Sequence, residues 1–257
     1  MKDTPTQLDQ HFALPEARRV ELDRPLAWLR SGWRDMWANP IASLAYGLLF
    51  AIAGDIILIF AWGNPYLSTA AVSGFFLVGP LLAGGLYEIS RRHAGGLHST
   101  FFDSLAGWGR NGQSMAMFGL LLALASLIWE RTSAIFFALF VPDLVPNFWS
   151  FASGVLLNPD YLGLTLTWLV AGGVLAVLVF SVSAVSIPML VDRQVDFVTA
   201  MMTSMRAVAL NPAPMLVWAA LVVALTALGF ATLLFGLIFL MPLLGHASWH
   251  AYRDLVE

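Results

Sequence analysis

Six stretches of this chain are mostly apolar over lengths that bracket the roughly 20 residues a helix needs to cross a bilayer. They run Ile41–Trp62, about Ser68–Ser90, Met115 to about Val141, Leu162–Val191, Pro212 to about Leu234, and Phe235 to about Trp249. Composition agrees: 59% of the 257 residues are hydrophobic and only 11% are charged, far from the balance of a soluble domain. The spacing predicts an all-α membrane protein with six transmembrane helices. Between the fifth and sixth stretches almost no polar residue intervenes, so residues 230–236 must hold a tight turn.

The charges orient the chain. Of the 13 Lys and Arg residues, all but Arg131 fall in segments on one side of the six-helix plan. The opposite segments, Gly63–Tyr66 and Pro142–Tyr161, have none. By the positive-inside rule the basic side is cytoplasmic, which puts both termini there and predicts a bacterial inner-membrane protein. Residues 1–24 are polar and read as a cytoplasmic tail, not a secretory signal; residues 25–257 form a single membrane domain. The net charge of −3 and the absence of a basic block exclude nucleic acid as a partner, and the lack of cysteine excludes disulfides and thiolate sites. The aromatics Phe148, Trp149, Phe151 and Tyr161 read as an interfacial belt, and Trp62, Trp129 and Trp168 as interface residues.

An internal repeat is legible. The second, fourth and sixth stretches share a proline step: Gly79-Pro80-Leu81-Leu82, Ile187-Pro188-Met189-Leu190 and Met241-Pro242-Leu243-Leu244. The first and fifth share an entry, with Arg34, Asn39 and Pro40 in the same register as Arg206, Asn211 and Pro212. Asparagine is expected to cap the helix that proline begins. Before each entry lies an amphipathic segment, Pro25–Ala38 and Phe197–Leu210, with 101–112 as a degraded third copy. The plan is three parallel-repeat hairpins, about 25–92, 100–193 and 195–254, each preceded by a cytoplasmic surface helix.

Several of these segments, among them Trp33-Arg34-Asp35, residues 76–82, residues 86–92, Pro188 to Arg193 and Pro242 to Arg253, resemble the family of predicted bacterial integral membrane proteins DUF2189. The resemblance implies a membrane fold and no particular activity.

Three charged residues lie deep inside apolar stretches: Asp55, Glu130 and Arg131. Such residues face inward and pair, because an isolated charge in hydrocarbon costs at least ~2.5 kcal/mol. They read either as a proton or ion relay, or as an Asp55–Arg131 bridge that fixes packing, with Glu130 reaching the interface. His246 and His250 are four apart and share a helical face. Counting from each proline, the repeat adds Glu88, Asp192 and Asp196, so a polar or metal cluster of Glu88, Asp192, Asp196, His246 and His250 is conceivable. The plainer reading is hydrogen bonding between helices. No metal or other cofactor is expected. Trp28, Trp33 and Trp37 are spaced nearly i, i+4, i+8 and read as a ridge for partner contact or for membrane anchoring.

No catalytic or nucleotide-binding motif is present. The leading expectation is a non-enzymatic scaffold or accessory subunit that contacts the lipid bilayer and other integral membrane proteins. The alternative is a small-solute or ion transporter using Asp55, Glu130 and Arg131, and a redox protein at His246 and His250 is a third.

Overall fold

The computed structural model describes residues 14–61, 79, 81–141 and 148–256. The expected turn Gly63–Tyr66, Trp62, most of the second apolar stretch, Pro80, Pro142–Asn147 and the first thirteen residues lie outside them. The regular structure of the described residues is helical, apart from a single antiparallel bridge between Ala17 and Val256. The helices are α1 (Arg24–Ala38), α2 (Pro40–Ala61), α3 (Gly84–Ala94), α4 (Phe101–Ser104), α5 (Ala106–Arg110), α6 (Gly112–Phe140), α7 (Leu162–Ser183), α8 (Ser186–Asp192), α9 (Phe197–Leu210), α10 (Pro212–Ala231) and α11 (Leu237–Leu255). Short helical turns between residues 148 and 161 connect α6 to α7.

Among the described residues, three helical segments are long and apolar enough to cross a membrane: Gly112–Phe140, Pro159–Asp192 and Pro212–Ala231. A fourth is added if α1 and α2, bent by 108°, are taken as one span. α11 is not among them, because its second half carries His246, His250, Arg253 and Asp254.

Local chemistry explains where these helices begin and break. Pro40 and Pro212 start α2 and α10, where the missing N–H costs nothing. The preceding asparagines do not cap by side chain as expected at α10, where no such bond forms. Asn39, Asn111 and Asn211 instead share one backbone conformation, φ −134 ψ 61, φ −138 ψ 49 and φ −129 ψ 51. Each turns its amide onto a distant segment. Asn39 Oδ1 accepts from Ser99 N at 3.0 Å, and Asn111 Nδ2 donates to Val195 O at 2.6 Å. Asn211 accepts from Val20 N and donates to Arg18 O, both at 2.8 Å. Each of those three segments leads into the next amphipathic helix: α4, α9 and, returning to the start, α1. The amphipathic helices have their own caps, with a Thr100–Asp103 capping box on α4 and Asp196 accepting from Thr199 N at 2.9 Å on α9.

The proline step at Pro188 separates α7 from α8 at Ala184–Val185. The backbone loosened there is met by Ser204 of α9, whose hydroxyl donates to Ser181 O at 2.7 Å and accepts from Val185 N at 3.2 Å. Pro242 sits inside α11 without interrupting it. The expected tight turn spans 232–236, with Leu233 and Leu234 in the left-handed region at φ 53 and φ 67. Leucine rarely adopts that conformation, and the burial of Leu234 in a small cluster with Phe50 and Leu237 holds it there.

Packing is uneven. The main core gathers Trp28, Leu86, Ile89, Phe118, Met189, Leu190, Trp218, Trp249 and Tyr252 around α1, α3, α8 and α11. Farther along the spans burial falls to 17% of the apolar window in α6 and 28% in α10. Trp129 and Trp168 do more than sit at an interface: they stack at 5.6 Å, and Trp168 Nε1 donates to Ser133 Oγ, joining α6 to α7.

Gly32 sets a close helix approach in the core, between α1 and α11. A Cβ there would lie 2.6 Å from Ala247 N and 2.9 Å from Leu243 O, both backbone atoms that cannot yield. Gly32→Ala should therefore destabilise the fold by about 1–3 kcal/mol. Gly173→Ala, in open space on α7, should be neutral or stabilising by up to ~1 kcal/mol. Melting temperatures in one detergent decide it; equal effects at the two positions would contradict this packing.

Candidate functional site

The polar residues of the core converge where α1, α2, α3 and α11 meet. α1 buries Trp28, Gly32, Asp35 and Met36, so a carboxylate lies on the stripe that otherwise packs apolar atoms. Asp35 is 5% exposed. Its Oδ2 accepts from Ser90 Oγ at 2.5 Å and bonds His250 Nε2 at 2.9 Å, while Oδ1 lies 3.8 Å from His93 Nε2. Ser90 Oγ also meets His246 Nδ1 at 2.8 Å, and His246 Nε2 meets Ser43 Oγ at 2.9 Å.

Donor and acceptor roles follow from the carboxylate. An ionised Asp35 only accepts, so Ser90 gives it its one proton and can then only accept from His246. The proton of His246 is therefore on Nδ1, and Nε2 accepts from Ser43. The result is a directed chain, Ser43 to His246 to Ser90 to Asp35, with His250 donating from the other side. Ser43, Ser90 and His246 are wholly or almost wholly buried. The order differs from a nucleophilic serine–histidine–acid set, in which the carboxylate orients the imidazole directly; here a serine stands between them.

Further charged groups brace the same end. Buried Glu88 is held by a two-pronged contact from Arg91 at 2.7 and 2.8 Å, with Arg110 at 3.3 Å. Asp192 Oδ2 accepts from Tyr252 at 2.7 Å, and Arg193 Nε donates to the same tyrosine hydroxyl at 2.9 Å. Asp254 accepts from Arg24 and from Trp28 Nε1, each at 2.7 Å.

The residues singled out from the sequence are thus distributed rather than gathered. His246 and His250 do share a face and meet one network. Glu88 and Asp192 belong to separate ion pairs, and Asp196 is the cap of α9, its carboxyl held below the usual range by hydrogen bonds from Thr199. Among the described residues no three His, Cys, Asp or Glu side chains are arranged to hold a metal ion. The tryptophan ridge is not formed by all three members. Five residues turn a helix by about 500°, which sets Trp28 about 140° away from Trp33. Trp28 is buried edge-on against Trp218 at 5.6 Å, whereas Trp33 and Trp37 pack together on the exposed face.

The Asp55–Arg131 bridge is likewise absent. Arg131 pairs with its neighbour Glu130 at 3.2 Å, and Asp55 lies on an exposed face of α2. Adjacent residues satisfied each other locally, so depth alone did not select the partner. Sequence reasoning passed over Asp35, Ser43, Ser90 and His93 as site residues. The available signal was Asp35 itself, an acid on the apolar stripe of Trp28, Gly32 and Met36.

Burial raises the pKa of the Asp35 carboxyl, but hydrogen bonds from His250 and Ser90, helped by the nearby imidazoles, outweigh it and hold the group below its ordinary value. A carboxyl depressed in the fold stabilises it above the unfolded-state pKa, about 3.9, and that stabilisation is lost as pH falls through the folded value. Wild-type melting temperature should therefore drop below about pH 4. Asp35→Asn should lower it at pH 7, by about 1–3 kcal/mol of stability, and flatten the acid limb. An unchanged acid limb in Asp35→Asn would remove Asp35 as its source.

Comparison with curated proteins and with solved structures found no match. A family model does match: over residues 68–192 the chain is similar to DUF2189, described as a predicted integral membrane protein.

Proposed function

We propose that this is a non-enzymatic membrane scaffold or accessory subunit that docks laterally on other integral membrane proteins. The observation that carries the reading is the uneven packing: one end is bonded into a rigid core, while the spans expose apolar sides along their length. Leu127 on α6, Val174 on α7 and Leu216 on α10 are each more than half exposed. In a bilayer, helices associate by close packing rather than by hydrophobic burial, so such faces are free to meet lipid or another protein's helices. The burial of Ser43, Ser90 and His246 supports a non-catalytic role, since a substrate cannot reach them.

The proposal includes six spans in three hairpins in a bacterial inner membrane, with both termini cytoplasmic. The cyclic use of Asn39, Asn111 and Asn211, each pinning the entry to the next amphipathic helix, supports the three-part plan. The one-sided arginines support the orientation.

Two measurements test this. The chain has no cysteine, so single introduced cysteines report cleanly on sidedness. Asn158→Cys should react with an impermeant thiol reagent in intact cells, and Gly96→Cys only after permeabilisation; the reverse pattern would invert the topology. Photo-crosslinkers at Leu127, Val174 and Leu216 should capture a discrete membrane protein at one position or more. Lipid adducts alone at all three would end the scaffold reading.

A further inference from the structure

The outward face of α1 is built differently from the exposed faces of the spans. Leu26, Arg30, Trp33, Arg34 and Trp37 follow one another at helical spacing and all are exposed. Between α1 and α11 this face opens into a groove of about 600 Å³ lined by Leu29, Arg30, Trp33, Arg34 and Leu243. Two leucines line it together with Trp33, whose ring is set edge-to-face against Trp37 at 5.7 Å. Arg30 and Arg34 add two positive charges to the lining.

Those charges are not answered within the described residues. Arg34 donates to Ser31 Oγ at 2.9 Å, and no described carboxylate comes within ion-pair distance of Arg30 or Arg34. The helix's own acid, Asp35, is turned inward onto Ser90 and His250. Like charges at i, i+4 repel and weaken a helix unless an anion joins them. α1 also meets α2 at 108°, so when α2 stands upright in the bilayer α1 lies near the membrane plane, with tryptophan and arginine at headgroup depth.

We infer that the α1–α11 groove binds an anionic phospholipid, its phosphate between Arg30 and Arg34 and an acyl chain along Leu29, Trp33 and Leu243. The match is one of charge and polarity together: a lipid offers the phosphate that the guanidinium groups lack and the hydrocarbon that Leu29 and Leu243 favour. A soluble anion would meet only half of the groove. The site is independent of whether the spans dock on another protein.

The test uses the full-length chain in nanodiscs of zwitterionic lipid doped with phosphatidylglycerol, with native mass spectrometry counting the lipid retained. Wild type should keep phosphatidylglycerol in preference to phosphatidylcholine. Each arginine near an anionic surface is worth about 1 kcal/mol, so R30Q and R34Q should each cut that preference about fivefold. R30Q/R34Q should cut it about twenty-five-fold, on the same scale. R206Q on α9 removes the same charge elsewhere and should leave the preference intact. An unchanged preference in R30Q and R34Q, or an equal loss in R206Q, overturns the site. Thermal stabilisation by inorganic phosphate equal to that by phosphatidylglycerol would overturn the lipid as its occupant, as would displacement of the lipid by a peptide of residues 1–13. Because single substitutions of exposed arginines leave the Asp35 network untouched, the folded protein is available for each arm.

Discussion

A carboxylate taken out of water is costly unless its charge is met by donors, and the position of Asp35 follows from that cost. It cannot be buried on α1 until Ser90 of α3 and His250 of α11 are in place. Ser90 in turn can serve only if His246 donates to it, and His246 only if Ser43 of α2 is there to be accepted from. Four helices are thereby fixed relative to one another by one chain of single protons. Apolar packing alone would tolerate sliding; a hydrogen-bond chain with one donor per step does not.

The remaining polar contacts extend the same end outward. Glu88 ties α3 to α5 through Arg110, Asp192 ties α8 to α11 through Tyr252, and Asp254 ties α11 back to α1. Arg18 N bonds Leu255 O at 2.8 Å, so the first and last described segments close on each other. Beyond this belt the spans carry few groups that could bond, and they are correspondingly less buried. One half specifies the arrangement, while the other presents surface to the bilayer and to whatever shares it.

Much of the helical plan was legible in the sequence, because apolar length and proline or asparagine punctuation act locally. The amphipathic helices before Asn39 and Asn211 and the tight turn at 232–236 lie where expected. Pairing was less legible. Asp55 and Arg131 were matched by depth, yet Arg131 had Glu130 beside it, and a neighbour in sequence needs no helix packing to be reached. Proline-relative position made a five-residue polar cluster conceivable beside the plainer reading of hydrogen bonding between helices, but Asp196 falls beyond the end of α8 and serves as a cap instead. The tryptophan ridge failed on angle, since one extra residue between Trp28 and Trp33 carries the ring to the opposite side. The asparagines carried a signal read too locally: they were expected to cap their own helices, whereas they hold the entry to the next one. His246 and His250 were found because their i, i+4 spacing is a real geometric constraint; their partner Asp35 was not, because its role depends on which face α1 buries.

The central claim is that Asp35 and Ser43, which do not touch, are coupled through Ser90 and His246. A double-mutant cycle with Asp35→Asn and Ser43→Ala, measured by equilibrium unfolding in one detergent, reads that coupling directly. Residues sharing a network show interaction energies of about 0.5–3 kcal/mol, whereas independent sites add to within roughly 0.3–0.5 kcal/mol. The network predicts a coupling above about 0.5 kcal/mol. Additive effects would mean that the two ends are stabilised separately and that no continuous chain fixes the four helices.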